Sequence, residues 1–147
     1  MPIKQSAYFK GNARTPVPVP HRKGEVIEYL FTHTFTEAVP TTDILELFPV
    51  FPYGRIVGFD FAAENIGAIN LTMGLMSGAS GSLVSARTVG NQLINAAVST
   101  TPLASTLTQL ANLAAIGETP VSIGLVPSAE IVAGATKKLH VRIRVAA

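Results

Sequence analysis

The chain has 147 residues, 48% apolar and only 14% charged, with a formal net charge of +2 and no cysteine or tryptophan. Soluble domains usually carry about 25% charged residues, and no apolar run here approaches the ~18 residues of a membrane-spanning helix. Part of the surface is therefore expected to be covered by partners, while disulfides, thiolate zinc sites and thiol catalysis are excluded.

Residues 1–25 differ from the rest. They carry Lys4, Lys10, Arg14, Arg22 and Lys23 against Glu25, and the run TPVPVP holds Pro16, Pro18 and Pro20. Each proline fixes its own φ and biases the preceding residue toward extended backbone. This predicts a stiff, extended, basic arm, with Tyr8 and Phe9 as the residues that seek a surface to bury in. The arm shows no apolar secretory core. Residues 26–147 are predicted to form the folded domain.

The body reads as strands separated by turn residues. VIEYLFTHTFT (26–36) puts Ile27, Tyr29, Phe31, His33 and Phe35 on one face, with Val26, Glu28, Leu30 and Thr32 on the other. ILELF (44–48) is followed by Pro49 and Pro52, which are expected to break it. RIVGFDFA (55–62), INLTMGLM (69–76) and VSIGLV (121–126) follow, and LHVRIRVA (139–146) alternates without fault. One short helix is expected over 102–115, with Thr101 as N-cap, Pro102 at the first position and Gly117 as the stop. Residues 77–91 read as a Gly/Ser-rich loop, and residues 65–117 contain a single charge, Arg87. The prediction is an all-β chain, an antiparallel β-sandwich or jelly-roll-like barrel with an extended N-terminal arm.

No constellation for catalysis emerges. His33 falls on an apolar strand face and reads as a core-edge residue, and His140 sits outward beside Arg142. The sequence has no HExxH, no GxSxG elbow and no lysine following the glycines of GASGS (78–82). Asp60 and Glu64 read as strand-end acids rather than a hydrolytic pair. No catalytic, cofactor or metal residues are predicted. The basic ends are too sparse to mark a nucleic-acid arm.

Three stretches in this order, LELFPVFPYGRIVGF (45–59), LTMGLMSGASGSLVSARTVGNQL (71–93) and VSIGLV with KKLHVRIRVA (121–126 and 137–146), resemble small virion proteins of tailed bacteriophages, in particular capsid decoration (cement) and related head proteins. In one departure, the loop after Gly81 lacks the acidic residues such loops often carry, which leaves a charge-pairing role for Arg87 open.

The resemblance implies a non-enzymatic β-sandwich subunit, assembled as a homotrimer. Its place would be the outer capsid surface of the virion, where it binds the major capsid protein and stabilises the shell. The expected contacts are the arm residues Lys4, Tyr8, Phe9, Lys10, Arg14, Pro16, Pro18, Pro20, Arg22 and Lys23, with Arg87, Arg142 and Arg144 as loop and sheet contacts. A tail, neck or other minor virion role is the alternative. A carbohydrate-binding β-sandwich module is a lower one, since the chain has no tryptophan and three tyrosines to serve as platforms.

Overall fold

The computed structural model describes residues 1–6, 8–9, 25–100 and 102–146. In chain order these form β1 (Ile3–Gln5), β2 (Val26–Thr34), β3 (Ile44–Val50), β4 (Arg55–Glu64), β5 (Asn70–Leu75), β6 (Ile94–Val98), β7 (Leu103–Ala104), α1 (Leu107–Ala111), β8 (Val121–Pro127) and β9 (Lys138–Ala146). A five-stranded sheet runs β1-β3-β8-β5-β6, and a four-stranded sheet runs β2-β9-β4-β7.

β2 pairs with β9, β3 with β8, β4 with β7 and β5 with β6, all antiparallel. This nesting is one long hairpin wound into two layers, the topology of a jelly roll. The expected all-β sandwich is therefore what forms, with two open sheets rather than a closed barrel. β1 is an addition, paired in parallel with β3.

Strict alternation explains the core. On β9, Leu139, Val141, Ile143 and Val145 are sealed from solvent while Arg142 and Arg144 are exposed. They meet Tyr29 and Phe31 of β2, Ile56, Phe59 and Phe61 of β4, and Leu71, Met73, Ile123 and Leu125 of the opposite sheet in one core. Burial of each such side chain stabilises the fold by about 1.5–3 kcal/mol.

β3 runs through Pro49 instead of stopping before it, with Pro49 opposite Ser122. The reason is local. β1 covers β3 only from Ile44 to Glu46, so beyond that point β3 is an edge on one side and the missing N–H costs no ladder bond.

The helix is shorter and later than expected. Leu103 and Ala104 pair instead with Phe61 and Asp60 on the free edge of β4. Thr106, not Thr101, is the N-cap, and it forms a capping box with Gln109. Thr101 lies outside the described residues. No residue of α1 is buried, and it ends at Asn112; beyond it Leu113 and Ile116 enter the core and Ile116 N bonds Gly54 O at 2.8 Å, which holds the chain out of helix before Gly117. β1 and β6 are strands that composition does not signal: IKQ is short and polar, and INAAV lacks alternation.

The described part of the arm folds onto its own domain. Beyond β1, Tyr8 packs edge-on against Phe31 at 5.1 Å and Phe48 at 5.5 Å. Phe31 and Phe48 stack at 4.8 Å. Ile3–Gln5 and Tyr8 thus pack on the sandwich.

Candidate interaction surfaces

The strand register places Glu46 of β3, Gly124 of β8 and Gly74 of β5 in one row across the five-stranded sheet. Two glycines make that row a flat shelf. A Cβ on Gly74 would lie 2.3 Å from the Gly90 carbonyl oxygen, and one on Gly124 would lie 2.7 Å from Met76 Cγ. The segment 76–91 lies over this shelf, closed by a bridge between Met76 and Val89.

Arg87 pins the segment down. Its Nη2 lies 2.9 Å from Glu46 Oε2. Its Nε donates to Ser77 O at 2.8 Å and its Nη1 to Ser82 O at 2.6 Å. Glu46 also accepts from Gly81 N at 3.0 Å and from Gln5 Nε2 at 3.1 Å. Burial pushes the Glu46 carboxyl pKa up, but hydrogen bonds from Arg87, Ser122, Gly81 and Gln5 outweigh it and leave it below its ordinary value. The acid that pairs with Arg87 thus comes from β3 rather than from the loop. Arg87 is only 4% exposed, so the expected loop contact is corrected: its guanidinium is an internal anchor.

The outer face of the four-stranded sheet is built differently. Register aligns Glu28, Arg144 and Gly58 in one row and Leu30, Arg142 and Asp60 in the next. Arg142 grips Asp60 with Nε at 3.0 Å and Nη2 at 2.6 Å. Glu28 Oε1 lies 3.3 Å from Arg144 Nε and 3.8 Å from Arg142 Nε. Asp60 raises the Arg142 pKa, so the guanidinium stays charged. One row further, His140 bridges Thr32 Oγ1 at 2.7 Å and Glu64 Oε2 at 2.6 Å. The hydrogen bond from His140 holds the Glu64 carboxyl below its ordinary pKa. Among these charges Leu30 stands 73% exposed. A bulge between Ile56 and Gly58 turns Val57 outward as well.

Two shallow grooves flank these elements. One, of about 290 Å³, runs between this charged face and α1, past Asp60, Arg142, Arg144 and Leu107. The other, of about 220 Å³, is lined by Asn91, Gln92, Asn95, Gln109, Asn112 and Leu113.

Of the expected contact residues, Arg142 and Arg144 come together on one exposed face. Lys4 pairs with Glu37 at 3.1 Å and Asp43 at 3.7 Å. Tyr8 and Phe9 are half-buried on their own domain. Lys10, Arg14, Pro16, Pro18, Pro20, Arg22 and Lys23 lie outside the described residues. His33 sits at the core edge against Phe35, at 4.8 Å. Asp60 and Glu64 are held in cross-strand pairs with Arg142 and His140. Sequence reasoning missed Glu46, which had a visible signal as an acid flanked by apolar residues in ILELF.

No protein-family model matches this sequence, and no curated protein matches it by sequence comparison. Two solved structures resemble the fold. A chain of the capsid of Ralstonia phage GP4 is 24% identical, with 98% of this chain and 97% of that chain covered and a TM-score of 0.84. A chain of the cyanophage Pam1 capsid asymmetric unit is 15% identical, with 93% and 96% covered and a TM-score of 0.56. The jelly roll with its added parallel strand thus shares its fold, along nearly its whole length, with chains found in two phage capsids.

Proposed function

We propose that this chain is a non-enzymatic structural protein of a phage virion, a decoration or cement protein on the outer surface of the capsid that stabilises the shell by binding the major capsid protein. The observation that carries the reading is the near full-length match, at a TM-score of 0.84, to a chain of the Ralstonia phage GP4 capsid. A likeness covering 97% of that chain means that this sandwich is almost the whole of it.

In this reading the chain assembles as a homotrimer and repeats the same weak contacts over the shell. Contacts that exist only in the intact lattice stabilise it by mass action, and repetition multiplies them through effective concentration. Arg142 and Arg144, beside exposed Leu30, supply a face with charged and apolar groups together, as interface rims and cores require. The arm contribution narrows to Lys10, Arg14, Arg22 and Lys23 with the prolines among them.

The test adds the purified chain to cognate shells that lack it and measures occupancy and the temperature at which shells open. Saturable binding that raises the opening temperature is expected. Absence of the wild-type chain from purified virions, by immunogold labelling and mass spectrometry, would sink the proposal, and label confined to the tail would favour the minor-virion alternative. Light scattering on the isolated chain reads the trimer.

A further inference from the structure

We propose that the outer edge of β2 receives residues 15–21 of the same chain as an antiparallel strand, and that this strand ends the four-stranded sheet. The inference does not rest on the virion reading.

β2 is the outermost strand of its sheet, and among the described residues no strand pairs with its outer edge. Its 9 residues run against β9 without a bulge and include no proline or lysine. Long edges of this kind invite further strands, and stable chains cover or blunt them. The hydrogen bonds of the sheet show which backbone groups are on offer. Phe35 N bonds Lys137 O at 2.9 Å, so odd-numbered residues of β2 turn their N–H and C=O toward β9. Ser105 N bonds Phe59 O at 2.8 Å, which sends even-numbered residues of β4 to β9 and agrees with that parity. Val26, Glu28, Leu30 and Thr32 therefore point their backbone groups outward.

Residues 15–21 are the complement. They read TPVPVPH, so Thr15, Val17, Val19 and His21 each carry an N–H, while the prolines between them carry none. Alternate residues of an extended segment face opposite edges, which gives this run one edge that can pair and one that cannot. Residues 22–25, with Gly24 among them, form the loop that joins it to β2. That loop length sets His21 opposite Val26 and Val17 opposite Leu30, matching residues that bear an N–H to those that face outward. A loop one residue shorter or longer would set prolines there. The other end of the segment agrees. Tyr8 packs on Phe31 at 5.1 Å, and in this register Thr15 falls opposite Thr32, the next residue of β2. Val17 then lies beside Leu30, which is 73% exposed, and His21 beside Val26, which is 54% exposed. The prolines leave the new outer edge without donors, so the sheet accepts no further strand.

The experiment uses the full chain, which has no cysteine of its own. Val17→Cys/Leu30→Cys is expected to close a disulfide within one chain on mild oxidation, since paired Cα atoms about 5.5 Å apart suit one. Val19→Cys/Thr32→Cys lies out of register and is expected to stay reduced. A disulfide between two chains, no disulfide, or equal oxidation of the two pairs overturns the proposal. Amide exchange followed by NMR gives the second readout. Glu28, Leu30 and Thr32 N–H should be protected in the wild type. Val17→Pro deletes a donor from the pairing edge and should speed Leu30 exchange at least about fivefold, the loss of one hydrogen bond. Pro18→Val alters only the outer edge and should leave that rate unchanged. Unprotected wild-type amides, or equal effects of the two substitutions, overturn the added strand.

Discussion

Arg87 Nη2 lies 2.9 Å from Glu46 Oε2, with the two side chains 3% and 0% exposed. Removing one partner from such a pair leaves an uncompensated buried charge. Glu46→Gln should therefore destabilise the chain by about 3 kcal/mol, read from urea unfolding. Arg87→Met should cost a comparable amount, because the Ser77 and Ser82 carbonyls lose their donor. The double variant should be less destabilised than the sum of the two by at least about 1 kcal/mol, the signature of direct coupling. Additive costs would show that the two residues act independently.

The same pair sets an acid limit. The Glu46 pKa is lower in the folded chain than its ordinary 4.5, so the unfolded state binds protons first as pH drops. Its stabilisation is complete above the ordinary value and is lost as pH falls through the depressed folded value. Unfolding midpoints should decline below about pH 4.5, and Glu46→Gln should flatten that part of the profile. An identical slope in the variant would assign the acid limb to other carboxylates.

The glycine shelf gives an asymmetric pair of substitutions. Gly74→Ala drives a methyl group against the backbone carbonyl of Gly90, which cannot yield without moving the segment. Gly124→Ala meets chiefly the Met76 side chain, which has three rotatable bonds, and a Val89 methyl at 2.9 Å. Gly74→Ala should cost about 2 kcal/mol and the Gly124 change less. Hydrogen exchange should show residues 89–93 loosened in the first variant.

Tyr8 tests where the domain starts. If Ile3–Gln5 and Tyr8 are part of the sandwich, Tyr8→Ala should cost about 2 kcal/mol through lost ring contacts and area, while Tyr8→Phe keeps the edge-on packing and should be nearly neutral. Equal stability of the alanine variant and wild type would return residue 8 to the arm.

The exposed lattice on the four-stranded sheet predicts the reverse behaviour. Arg142→Gln and Arg144→Gln should leave the melting temperature unchanged, since both side chains are half exposed and their pairs are screened. Shell binding, in contrast, should weaken and lose part of its salt dependence.

β9 was readable because its alternation coincides with its burial, residue for residue. Leu30 and Val26 could be placed beside Glu28 on the outward face of β2 from spacing alone. Glu46 and Arg87 were each conspicuous, one an acid among apolar residues and the other a lone charge in a long uncharged stretch. Their pairing was not readable, because it depends on a register that joins residues 41 apart. The helix went astray because Leu103 and Ala104 answer to an open edge of β4, a tertiary demand that local spacing does not carry. β6 was hidden by its two alanines, Ala96 exposed and Ala97 half-buried, which give no period-two signature.

β9 is the last strand in chain order and lies between β2 and β4, near the middle of its sheet. Its neighbour β2 is met more than a hundred residues earlier, with Val26 opposite Ala146. Contacts of such long sequence separation make folding slow, since loop closure must precede any reward. The kinetic consequence falls on the face that carries Arg142 and Arg144. A nascent or partly folded chain has no such face to present, so under the proposed function any docking through it would be confined to finished molecules.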